Sequence, residues 1–189
     1  MAQTKRHKVF ISYYHEDDQE WKDRFIRMMS DRIVDKSVNI GDIADNRPPT
    51  EETLRQIREE HVSDATVTVV LIGPRTWQRK YVDWEINATL RDTKMNPRCG
   101  LLGILLPSHP NYNQSSYNPR LLPPRLAVNC AGTDQYAKIY SWRGAQSADG
   151  IQNWIHEAFL RRKGQPDPNT SQHPFGRNWN GDPMRGWQN

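Results

Sequence analysis

An α/β domain built on a doubly wound parallel sheet of about five strands is predicted for this chain, on three observations. Residues 66–72 (TVTVVLI) and 100–106 (GLLGILL) are nearly continuous apolar runs, as in parallel strands covered on both faces. Amphipathic helical stripes alternate with such runs along the chain. The resulting order, β-α-β-α-β-α-β-insertion-β-α, calls for right-handed crossovers in one sheet.

Each element has its own signal. Residues 8–13 (KVFISY) are β-branched and aromatic and read as a buried strand. After the polar turn 14–18, a helix carries Trp21, Phe25, Met28, Met29 and Ile33 on one stripe. Residues 38–43 are a weaker second strand, followed by a loop at 44–49 (ADNRPP). Thr50 then serves as an N-cap, with Glu51 and Glu52 in a first turn where they complement the helix dipole. That helix runs to about His61 and buries Leu54 and Ile57. Gly73 and Pro74 stop the third strand, and a helix over about 79–91 carries Val82, Ile86 and Leu90 at helical spacing. A fifth, shorter strand is expected at 137–142 and a last helix at 150–163, ending at Gly164 with cations in its final turn.

Two segments fall outside this pattern. Residues 107–133 contain Pro107, Pro110, Pro119, Pro123 and Pro124 and read as an irregular insertion within a domain spanning 1–163. Insertions of this length in compact domains are more often functional than decorative. Residues 164–189 lose periodicity and form a tail with four glycines, four prolines, Trp179 and Trp187. Its aromatic content argues against a freely solvated linker. Insertion and tail are expected to cover a cleft or an interface.

Composition narrows the function classes. The 189 residues suit one domain plus an appendage. A hydrophobic share of 35% permits a core while leaving part of the chain irregular. The net charge of +4 (pI about 9.1) is thinly spread, so no nucleic-acid partner is expected. Cys99 and Cys130 form no CxxC pair, so a metal site is not expected, and reduced thiols fit a cytoplasmic protein. No apolar run approaches the roughly 18 residues of a membrane span, so no membrane partner is expected.

In open α/β sheets, ligands bind beyond the carboxyl ends of the strands. That rule gathers residues 12–17 after the first strand, Asp42 and Asp45 to Arg47 after the second, and Arg75 to Trp77 after the third, with Asp83 and Glu85 nearby. A dinucleotide fold of the GxGxxG type is disfavoured, because SYYHED stands where those glycines belong. A phosphoacceptor receiver is disfavoured too, since the third strand ends without an acid, and no P-loop is present. On spacing alone Glu85 reads as an exposed helix residue, and Asp45 as a turn former.

The motifs go further. Val9-Phe10-Ile11-Ser12-Tyr13 with His15 and Asp17 resembles the opening strand and loop of TIR domains. The run VLIGPRTWQRKYVDWEI resembles their third strand and the helix bearing the catalytic glutamate, and is closer still to TIR-like proteins of the bacterial Thoeris antiphage system. Tyr81 stands where that family usually has a tryptophan. The resemblance covers about residues 8–106. It implies a flavodoxin-like sheet and an NAD-cleaving enzyme in which Glu85 is catalytic and Ser12, Tyr13, Asp45 and Tyr81 bind substrate. It further implies NAD as substrate rather than bound cofactor. The product would be an ADP-ribose-derived signal, a cyclic isomer in the Thoeris case, read by a separate effector, with homo-oligomer formation left open. Two other readings share the fold: a non-catalytic TIR-like scaffold, and a nucleoside deoxyribosyltransferase-like enzyme acting on a different glycosidic bond.

Overall fold

The computed structural model describes residues 6–37, 50–93, 95–142, 147–164 and 166–182. Five strands, β1 (His7–Ser12), β2 (Ile33–Asp35), β3 (Val67–Ile72), β4 (Gly100–Leu105) and β5 (Ala137–Ser141), form one sheet in the order β2-β1-β3-β4-β5. Every neighbouring pair is parallel. The strand order reverses at β1, so the crevice beside β1 and β3 at their carboxyl ends is the topological switch point, the usual ligand position of doubly wound sheets.

Helices cover both faces. Helix α1 (His15–Met29) and helix α5 (Ala148–Arg161) pack Phe25, Met29, Ile151, Ile155 and Ala158 against Val9, Ile11, Val67, Val69 and Leu71. On the other face lie α2 (Glu51–Gln56), which continues as a π-turn over Ile57–His61, α3 (Lys80–Thr89) and α4 (Pro124–Asn129). They meet Phe10, Val70, Ile72, Leu101 and Leu105. The split follows the two-residue period of a strand: odd positions of β1 and β3 face one layer and even positions the other.

The second strand departs from the sequence reading. Ile33, counted there on the stripe of the first helix, instead opens β2, and residues 38–43 lie outside the described residues. The physical reason is a side chain. Arg6 donates to the carbonyls of Ser30 (2.9 Å) and Ile33 (2.7 Å), taking up backbone acceptors that a continuing helix would have used itself. Thr50 caps α2 by accepting from the Thr53 amide at 3.1 Å, as its position implied.

Segment 107–133, read from its prolines as irregular, contains a 3-10 turn over Pro119–Leu121 and α4. Proline at the first helical position removes an amide that needs no partner there, so Pro124 starts a helix rather than breaking one. Helix α4 is thus the crossover between β4 and β5.

Tail residues 166–182 carry no helix or strand and lie along α3 and α4. Asn129 and the Asn169 backbone bond reciprocally at 3.0 and 2.8 Å. Arg125 donates to the Gln172 carbonyl (3.1 Å), Trp84 to the Phe175 carbonyl (2.7 Å), and Arg98 to Asp167 (2.7 Å). The Asn178 side chain accepts from the Lys80 amide at 3.0 Å, capping α3 from a distant point of the chain.

Candidate active site

Helix α3 is buried around almost its whole circumference. Val82 and Ile86 face the sheet, Trp84 and Ala88 face α2 and its π-turn, and Asp83 faces α4 and the tail. The buried side chains of Asp83, Glu85 and Thr89 find partners within the fold. The Asp83 carboxylate takes Arg125 Nε at 2.9 Å and the Phe175 amide at 3.1 Å, and Asp83 and Arg125 are 1% and 0% exposed. The Thr89 hydroxyl donates to its own helix, to the Ile86 carbonyl.

Glu85 belongs to this buried set. It is 7% exposed, against the exposed position that spacing alone suggested. A helix amphipathic on one stripe becomes buried on the others once a tail and a second helix close over it, and local periodicity carries no sign of that. The Glu85 carboxylate accepts a short hydrogen bond from the Ser12 hydroxyl at the carboxyl end of β1. Among the described residues no cation pairs with it. Burial therefore pushes the Glu85 carboxyl up to about 8, with the Ser12 hydrogen bond pulling the other way. Ser12 and Glu85, 73 positions apart in sequence, meet at the switch point.

The other candidate residues are placed differently. Tyr13 points to the opposite layer, as alternation along β1 requires. Its ring joins the core against α1, and its hydroxyl pairs with His15 (3.0 Å) and donates to Gln19 (2.6 Å). Burial first, then the charges of Asp23 and Glu85, push its phenol up to about 12. Tyr81, one helical turn before Glu85, meets Trp84 edge-on at 5.2 Å between ring centroids, with the Lys80 ammonium over both rings. It packs with the α2–α3 core. Asp45 lies outside the described residues. Trp77 is buried.

One carboxylate at this edge has no counterpart in the sequence reading. Asp18, in the first turn of α1, is fully buried and receives the Thr76 hydroxyl at 3.2 Å. A Cβ at residue 73 would collide with this carboxylate, so only glycine lets the end of β3 pass. Burial raises Asp18 to about 6, against the opposing hydrogen bonds from Thr76 and Gly73. Its signal was faint: an acid in a helix first turn ordinarily sits in solvent.

A cavity of about 840 Å³ opens elsewhere, between Glu51 and Arg55, the far end of α3 at Leu90 and Arg91, and tail residues near Gln172. Its arginines are already engaged: Arg91 with Glu51, Arg55 with Glu52 and Glu59, and Arg98 with Asp167. Glu85 does not line it. Among the described residues no group of three or more His, Cys, Asp or Glu is placed to hold a metal ion, and no helix is long and apolar enough to cross a membrane.

A family model for the Thoeris protein ThsB, TIR-like domain, matches residues 10–111, more than half of the chain. The chain belongs to this TIR-like family. The match takes in the end of β1 and the whole of α3 and β4, and with them Ser12 and Glu85. Among solved structures, the TIR domains of the activated Roq1 resistosome directly recognizing the pathogen effector XopQ are similar at 11% identity and a TM-score of 0.35. That similarity covers 95% of this chain and 93% of the other, and is too distant to inform on chemistry. No curated protein matches.

Proposed function

We propose that this TIR-like domain cleaves the bond between nicotinamide and ribose in NAD, and that its product is an ADP-ribose-derived signal, a cyclic isomer, acting on a separate effector in antiphage defence. The observation that carries the reading is the buried Glu85 carboxyl, held by Ser12 at the switch point with no described cation beside it. Once ionised, that carboxylate has no counter-charge among the described residues, and the pyridinium of NAD brings one.

The chemistry fits a carboxylate without an acid partner. Nicotinamide leaves as a neutral molecule from a cationic ring, so nothing has to protonate it. The C1′ carbon becomes oxocarbenium-like as the bond lengthens, and a nearby carboxylate stabilises that charge. Glu85 with its carboxyl near 8 is largely protonated in the free protein at neutral pH. A bound pyridinium favours the ionised form, so the proton leaves as substrate arrives. Attack by water then gives ADP-ribose and releases a proton. Attack by a nucleophilic atom of the same molecule gives a cyclic isomer lighter by one water, favoured by high effective concentration.

The test is incubation with NAD, measuring nicotinamide release and product mass in purified protein and in extracts of phage-challenged cells expressing it. Nicotinamide together with an ADP-ribose product or its dehydrated isomer is expected. A protein that leaves NAD intact in both settings is a scaffold instead, and one that cleaves deoxynucleosides but not NAD belongs to the transferase reading.

A further inference from the structure

We infer that Arg79, stacked on the ring of Tyr14 beside the carboxyl end of β1, is the anion-recognition group of the Glu85 site and engages a phosphate of its substrate. This rests on the reading of that substrate as a dinucleotide. Tyr14 follows Ser12 and Tyr13 at the start of α1, and Arg79 immediately precedes α3. The two segments whose side chains meet as Ser12 and Glu85 therefore also supply this pair.

The Arg79 guanidinium carbon lies 3.9 Å from the Tyr14 ring centroid. A second arginine, Arg75, lies over the same ring at 5.2 Å, but Asp17 grips it with both carboxylate oxygens. Arg79 differs. Its side chain makes no hydrogen bond or ion pair with any described residue, and its Nε is buried without a partner. Glu16, the acid nearest the ring's far end, is tied to the Tyr14 hydroxyl. Cation–π attraction at this distance holds the guanidinium over the ring, and its N–H donors, without a partner among the described residues, suit bidentate phosphate binding.

Position agrees with this role. Arg79 stands at the positive end of the α3 dipole, which adds to its own charge. The first amide of α3 is already taken by Asn178. Glu85 lies six residues further along the same segment, about 9 Å of helix rise.

Titrating ADP-ribose, which carries the diphosphate but no nicotinamide, into the full chain tests the assignment. Arg79→Met is expected to weaken binding by at least roughly tenfold, with Arg79→Lys in between and affinity falling as salt rises. Thermal unfolding checks that both variants keep the fold, which the half-exposed position of Arg79 allows. Equal affinity in wild type and Arg79→Met, or no ADP-ribose binding by the wild type, overturns the assignment. Nicotinamide release is scored separately. Release without Arg79-dependent binding leaves cleavage standing and removes this anion site, whereas Arg79-dependent binding without release does the reverse.

Discussion

Replacing Glu85 by glutamine is expected to lower nicotinamide release by about 10²–10³-fold while making the folded protein more stable. The opposed signs share one cause. Glutamine keeps the size of Glu85 and an acceptor for the Ser12 hydroxyl, so the fold loses little. It removes the charge that would stabilise the developing cation, so turnover falls. The stability gain follows from linkage. The Glu85 carboxyl sits near 8 in the folded chain against an ordinary value of 4.5. The stability from this raised group is fully present below 4.5 and is lost as pH climbs through 8. Glutamine has nothing to lose there. The variant is expected to gain about 2–4 kcal/mol at pH 8, or roughly 5–10 °C in melting temperature, shrinking toward zero near pH 4.5. Calorimetry across that range, beside a turnover assay, checks both halves. A variant with near-normal turnover removes Glu85 from the chemistry. One less stable than wild type at pH 8 makes it a structural group.

Arg125→Met is expected to be the most damaging single change outside the site. It leaves the Asp83 carboxylate buried with the Phe175 amide as its remaining described donor, and it releases the Gln172 carbonyl. Breaking one side of a buried pair costs about 3–5 kcal/mol, a large part of the roughly 5–15 kcal/mol that holds a domain folded. The tail should loosen with it, since residues 169–175 are anchored through Arg125, Asn129, Asp83 and Trp84. Chemical denaturation is expected to show the loss, and limited proteolysis should cut the tail sooner. Adding Asp83→Leu to Arg125→Met should recover much of the stability, because an apolar pair no longer strands a charge. A single variant as stable as wild type, with its tail still protected, would contradict this account of the pair.

These two sites mark what local sequence carries and what it does not. The β3 and β4 runs, the Val82–Ile86–Leu90 stripe and the Thr50 cap are patterns within one element, and the strands and helices follow them closely. Ser12 and Glu85 came from the strand-end rule and from motifs in fixed order, and they touch. Burial of α3 on its remaining sides could not be read the same way. Asp83 finds Arg125 across 42 positions and the Phe175 amide across 92, and no local periodicity spans such gaps. Tyr13 was named from its motif position, and strand alternation places its ring in the α1 layer, with the Glu85 charge still acting on its phenol. Ile33, counted on the first helix, opens β2 instead, and the reach of Arg6 to Ser30 and Ile33 is tertiary as well.

The pH dependence of NAD cleavage by the wild-type chain tests the central claim most directly. The free protein must lose the Glu85 proton before the carboxylate can act, so kcat/KM should rise with pH and level off above about 8. In the complex the pyridinium favours the carboxylate, so the acid limb of kcat should fall at lower pH than that of kcat/KM. Two separated limbs in that order are the expected result. A kcat/KM that stays flat between pH 6 and pH 9, on either side of the Glu85 value near 8, or no cleavage at any pH, would contradict it.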